Sequence, residues 1–271
     1  VPRAAERLSG EAISADGTAI AFDRYGSGPA VVLVHGAFTA RGHPTLSGVA
    51  AALAQWFTVY DYDRRGRGES EDTLPYAVAR EIEDLAAVIG AAGGSAMVFG
   101  GSSGAALALE AAVRNPAITK LALWEPPYHV DDSAPPLPDD FAAQLDALVR
   151  ADRRGEAVAR FMIEAAEAPP EAVAAMRAQP SWPGIEALAH TLAYEAAVLG
   201  PGNALPAARL AAVTQPTLVL NGEDSPRWMA NAGLAVAAAV PGAVRRVLED
   251  QAHDVSPEAL VPELLEFFVT A

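Results

Sequence analysis

Short apolar runs alternate with alanine-rich stretches along most of the chain, and the two kinds of segment differ in period. "AIAFDRYG" (19–26), "AVVLVHG" (30–36), "FTVYDYD" (57–63), "SAMVFGG" (95–101), "TKLALWE" (119–125), "PTLVLNG" (216–222) and "AVRRVLE" (243–249) read as strands. Runs such as AVVLV and TLVLN are apolar at successive positions, the pattern of strands covered by helices on both faces. Between them, "YAVAREIEDLAAVIGAAG" (76–93) and "GAALALEAAVRNP" (104–116) carry a 3.6-residue period, and Asn115-Pro116 stops the second. This alternation predicts an α/β fold with a doubly wound, mostly parallel sheet. Around residues 6–26, two strands flank "ADGT", with Asp16-Gly17 as the turn. They predict an antiparallel hairpin on the sheet edge.

The alternation breaks after Pro126-Pro127 and resumes at Thr217. The intervening pattern is helical and punctuated by prolines, with "DDSAPPLPDD" leading in and "GPGNALPAARL" leading out. The expected organisation is a core domain formed by residues 1–127 and 209–271, carrying a helical insertion over 128–208.

Composition narrows the possible roles. Hydrophobic residues make up 51% of the 271, enough for a substantial core, and no apolar stretch reaches the length of a membrane span. Net charge is −15, from 19 Lys+Arg against 34 Asp+Glu, which repels phosphate backbones and anionic lipid. Neither nucleic acid nor membrane is therefore expected as a partner. Zero cysteines removes disulfides, thiolate catalysis and Cys-ligated metals. The opening "VPRAAERLSGEAIS" has no basic segment followed by an apolar one, so no secretory signal is read and a cytoplasmic location is expected. The missing initiator Met suggests a trimmed or replaced N-terminus.

Chemistry concentrates where a strand runs into a helix. Gly100-Gly101-Ser102-Ser103-Gly104 fits G-x-S-x-G, with Ser102 at the apex of a tight turn. Small residues two before and two after the serine relieve the turn, and the helix start supplies free N–H groups. A frame shifted by one would put Ser103 at the apex. Ser102 is preferred because Val98-Phe99 end the strand and Gly100 begins the turn. No H-E-x-x-H, Walker or dinucleotide spacing occurs, and no cofactor is inferred.

With this motif, "VVLVHGAF", "YDYDRRGRGES", "VFGGSSGAALAL", "PTLVLNGEDSP" and "LEDQAHDVSPEAL" follow one another in the order and spacing of the alpha/beta-hydrolase superfamily. The chain resembles that family over nearly its whole length outside the insertion. The resemblance implies a cap where the insertion lies, between the sixth and seventh strands. It implies Ser102 as nucleophile and His253, in the loop before the final helix, as general base. It points to the backbone N–H groups of Ala37, after His35-Gly36, and of Ser103 as an oxyanion hole. Ser103 is thus expected to matter for its amide, and His35 to organise its loop. Two carboxylates compete as the acid: Asp224, one residue before the family's usual position, which Ser225 holds, and Glu125 at the end of the sixth strand. A Ser–His dyad is a third option. The arginines of "DRRGRGES" are expected to tie loops together.

The insertion supplies Tyr128, Phe161, Met162, Met176, Trp182 and Tyr194, while Phe38 and Trp228 lie on loops near the serine. Of these, Phe38, Tyr128, Trp182 and Trp228 are expected to contact substrate beneath the cap. The reading is a serine enzyme forming an acyl-Ser102 intermediate with an ester or thioester of an apolar or aromatic acyl group, then hydrolysing it. Two alternatives stand beside it. One is an acyltransferase of natural-product metabolism, passing the acyl group from a carrier protein to an acceptor. The other is a receptor or lyase on the same fold.

Overall fold

A computed structural model describes residues 7–270. One sheet runs through it, built from β1 (Leu8–Ile13), β2 (Ala19–Gly26), β3 (Ala30–Val34), β4 (Thr58–Tyr62), β5 (Ala96–Gly101), β6 (Ile118–Trp124), β7 (Thr217–Gly222) and β8 (Val244–Leu248). Its strand order is β1-β2-β4-β3-β5-β6-β7-β8. The β1–β2 and β2–β4 pairs are antiparallel and the other pairs are parallel. The hairpin forms the sheet edge, its turn closed by Ser14 N–H on Thr18 C=O at 2.9 Å and by Thr18 N–H on Asp16 Oδ1 at 3.0 Å. Residue 6, the expected start of that hairpin, and the first six residues of the segment read for a signal lie outside the described residues.

The double winding follows from central strands that are buried on both faces, as in β3 and β7. Side chains alternate across a strand, so Val32 and Val34 enter one core layer while Val31 and Leu33 enter the other. The first layer is covered by α2 (Val78–Ala91), α3 (Ser103–Ala112) and α10 (Arg227–Ala239). The second is covered by α1 (Pro44–Leu53) and α11 (Pro257–Val269). Leaving this core in water would forfeit about 25 cal/mol for each Å² of apolar surface. That is why each buried strand carries a helix on both sides.

Between β6 and β7 the chain is helical: α4 (Phe141–Arg150), α5 (Arg154–Arg160), α6 (Pro170–Arg177), α7 (Trp182–Ala187), α8 (Leu192–Leu199) and α9 (Ala207–Leu210). Phe141, Leu145, Val158, Trp182 and Leu192 build a core of their own within this segment. The segment also reaches into the sheet's core. Val198 and Leu199 of α8 join the α2–α3 layer, and all ten residues of α3 are buried. The run of alanines in α3 is what lets α8 approach so closely.

Tyr128 belongs to the same layer. The expectation that it contacts substrate is corrected: it is fully buried in the core outside the cavity. It packs in the layer that α2 and α3 cover, together with Val198 and Leu199. Among the described residues, no helix is long and apolar enough to cross a membrane.

Candidate active site

The C-terminal ends of the parallel strands converge on one side of the sheet, where ligands of α/β folds collect. Ser102 sits there between β5 and α3 with φ 55° and ψ −128°, backbone that a non-glycine residue holds only under constraint. The constraint is visible in its neighbours. A Cβ on Gly100 would stand 2.5 Å from Gly104 C=O oxygen, and one on Gly104 would stand 2.4 Å from Val34 oxygen. Glycine is obligatory at both. Gly101 is different: a Cβ there meets nothing nearer than 3.9 Å.

The strain aims Ser102 into a cavity of about 610 Å³ that it shares with His253, Ala37, Phe38 and Trp228. Ser103 begins α3, and its side-chain hydroxyl is buried without a hydrogen-bond partner. Gly36 packs directly on the turn, since a Cβ there would lie 2.9 Å from Gly101 oxygen and 3.0 Å from Ser102 Cβ. Ala37 and Ser103 both line the cavity beside Ser102. Among the described residues, neither amide donates a hydrogen bond.

His253 lies in the loop between β8 and α11, held from three directions. Trp124 Nε1 donates to His253 C=O at 2.9 Å, Asp224 N–H to Gln251 C=O at 2.9 Å, and Ser256 N–H to Gln251 Oε1 at 3.0 Å. Glu125, with φ 44° just past β6, turns its side chain under this loop. Its Oε2 lies 2.7 Å from His253 Nδ1, and its Oε1 accepts from Gly222 N–H at 2.8 Å.

Burial alone would push the Glu125 carboxyl up. The hydrogen bonds from His253 and Gly222 outweigh it and hold the group below its ordinary value. An ionised Glu125 makes Nδ1–H the donor, which leaves the lone pair on Nε2. Among the described residues no hydrogen bond closes between Ser102 Oγ and His253. Such contacts commonly tighten only around bound substrate.

The structure brings together Ser102, His253, Glu125, Ala37, Ser103, Phe38 and Trp228, and leaves out three other candidates. Asp224 is exposed: its backbone N–H is spent on Gln251, and its side chain faces solvent rather than His253. Tyr128 lies in the core, as described. Trp182 is likewise corrected, for it packs in the helical segment's core with the Arg177 guanidinium 5.7 Å over its ring, and does not line the cavity. His35 is buried against Asp61 at 2.5 Å, a loop-organising contact.

The cavity has further lining residues beyond those expected to contact substrate, among them Phe161, Met162 and Met176, which the sequence marked only as apolar residues of the insertion. A π-helical turn, Phe161–Ala165, extends α5 and presents Phe161, Met162 and Ala165 to the cavity. Met229, Asn203, Thr39 and His43 also line it. Burial lowers the pKa of His43, against the pull of Asp254 and Asp61. Trp228 is fixed by its indole N–H on Glu167 Oε2 at 2.7 Å, and Phe38 meets Phe161 edge-on at 5.6 Å. Periodicity marks these residues as apolar and cannot say which core or wall they face. Among the described residues lining the cavity there is no lysine or arginine, and Asp254 is the one acidic side chain.

Comparison with known proteins places these features in context. The model of the alpha/beta hydrolase family matches residues 31–263. An alpha/beta hydrolase from Sphaerobacter thermophilus superposes with a TM-score of 0.89 at 53% identity, covering 96% of this chain and 100% of that one. A hydrolase from Pseudomonas aeruginosa gives a TM-score of 0.76 at 25% identity, covering 97% and 98% of the two chains. The uncharacterized hydrolase YraK of Bacillus subtilis is 36% identical over 104 residues, a match spanning 37% of this chain and 38% of that relative's length.

Proposed function

The chain belongs to the alpha/beta hydrolase family, and on that premise we propose that it is a serine hydrolase of neutral esters or thioesters with apolar acyl groups. One observation carries the reading: a strained Ser102 opens into the same cavity as His253, whose other ring nitrogen is held by a buried Glu125. In the proposed reaction His253 Nε2 takes the Ser102 hydroxyl proton as Oγ attacks the carbonyl carbon. The carbonyl oxygen becomes an anion received by the Ala37 and Ser103 N–H groups. The imidazolium, steadied by Glu125, returns the proton to the departing alcohol or thiol. Water, deprotonated by the same nitrogen, then attacks the acyl-Ser102 carbonyl, and the acid leaves as Oγ recovers its proton.

The substrate class follows from the walls. A cavity of about 610 Å³ lined by Phe38, Phe161, Met162, Trp228 and Met229 favours an apolar acyl group. With no cation on those walls, a substrate carboxylate would lose its hydration without a partner. Neutral 4-nitrophenyl esters should therefore be hydrolysed at least about 100-fold faster, by kcat/KM, than the corresponding hemisuccinate, about 2.7 kcal/mol of discrimination. Equal rates on the two would contradict the substrate assignment. Adding hydroxylamine to the same assay separates hydrolysis from transfer: a transferase would release acyl hydroxamate quickly and free acid slowly.

A further inference from the structure

The peptide joining Gly36 and Ala37, both of which line the cavity, is gripped at its carbonyl end. Gly36 C=O belongs to the same planar, trans peptide unit as Ala37 N–H, so the two point in opposite directions. Arg67 Nη1 donates to Gly36 C=O at 2.5 Å and to Thr39 C=O at 3.0 Å. Arg64 Nη1 donates to the preceding carbonyl, of His35, at 3.1 Å. Both guanidiniums are buried and neither lines the cavity. They converge on one carboxylate, Glu195 of α8, which is itself fully buried: Arg64 reaches Oε2 at 2.8 Å and Arg67 contacts Oε1. Glu81 of α2 completes the set, 2.7 Å from Arg64 Nε.

We propose that Arg67, braced by Glu195, is the residue that aims the Ala37 N–H at the reacting carbonyl oxygen. A helix of the insertion thereby sets the oxyanion site. The inference rests on the acyl-enzyme reading above.

The physical argument is one of direction. The Arg67 guanidinium and the Thr39 hydroxyl, which donates to the same Gly36 C=O at 3.0 Å, together fix the rotation of the 36–37 peptide, and the cation is the stronger of the two donors. The opposite end then points into the cavity. A buried arginine needs an anion to stay there, and α8 supplies it. Arg67 touches no substrate, so its role is positioning. The consequence reaches outward: α8 lies against α3 and in the wall holding Leu199, so the docking of the insertion and the aim of the amide are one geometry.

The test compares kcat, KM and melting temperature with 4-nitrophenyl butyrate, together with inhibition by butylboronic acid, whose tetrahedral adduct needs the same amide. Removing one partner would strand a buried charge, so Arg67→Met is made together with Glu195→Met. Arg67→Lys and Glu195→Gln serve as near-isosteric variants should the double variant fail to fold. The double variant should melt cooperatively, with kcat lowered about 30- to 100-fold, KM within about twofold, and boronate affinity reduced in parallel. Arg67→Lys, which can still donate to Gly36 C=O, should recover about a tenfold part of the loss. Unchanged kcat in the folded variants would overturn the inference, as would a loss confined to KM with boronate binding intact. A parent protein that neither hydrolyses esters nor acylates Ser102 would overturn instead the reading on which the inference rests.

Discussion

Glu125 keeps φ 44° at the end of β6, and only the contacts of its carboxylate explain why a glutamate stays there. One oxygen faces His253 Nδ1 and the other takes Gly222 N–H, so the side chain ties the ends of β6 and β7 to the loop of the imidazole. Replacing it with glutamine keeps the shape and removes the charge that would stabilise an imidazolium. Steady-state kinetics of Glu125→Gln should show kcat about 10³- to 10⁴-fold lower, while Asp224→Asn should match the parent. The fold depresses the carboxyl's pKa, so its stabilisation is complete above the ordinary value of 4.5 and is lost as pH falls through the lower folded value. The melting-temperature gap between parent and Glu125→Gln should therefore narrow as pH is lowered past that point. At this scale the sequence left a choice. β6 and β7 are neighbours, and a carboxylate after either lies near the imidazole's loop. The contact of Glu125 with His253 Nδ1 and the exposure of Asp224 favour the first, and neither is written in the local pattern.

The strand–turn–helix around Ser102 was legible as an element, because its glycines answer to steric demands that a sequence displays. A Cβ on Gly100 or Gly104 would stand 2.5 or 2.4 Å from a backbone oxygen, whereas one on Gly101 would make only an ordinary contact with Phe99 at 3.9 Å. Gly100→Ala should destabilise the fold by about 3 kcal/mol in thermal or denaturant unfolding, and Gly101→Ala by under about 1 kcal/mol. A tolerant Gly100 would mean that the turn is not under the constraint described. The insertion was legible as helical and was misread in detail. Tyr128 and Trp182 are aromatic residues of that segment, yet one lies in the core layer of α2 and α3 and the other in the insertion's own core. The π-helical turn at Phe161–Ala165 points Phe161, Met162 and Ala165 inward, and a register change of this kind leaves little trace in hydropathy.

Across the whole molecule, the order of apolar runs and intervening helical stretches was enough to predict a doubly wound sheet with an antiparallel edge, since strands buried on both faces need helices on each side. The long-range ties were not legible. Arg64 and Arg67 meet a glutamate about 130 positions away, and the charge pattern of "DRRGRGES" says only that partners are needed. Those ties join sheet, loop and insertion around one cavity, and the account stands on what Ser102 does within it. The most direct measurement is intact-mass spectrometry after exposure to an alkyl fluorophosphonate, with Ser102→Ala alongside. The account predicts one stoichiometric adduct on the parent and none on the alanine variant. A folded parent that remains unmodified, or an adduct that survives in Ser102→Ala, would contradict it.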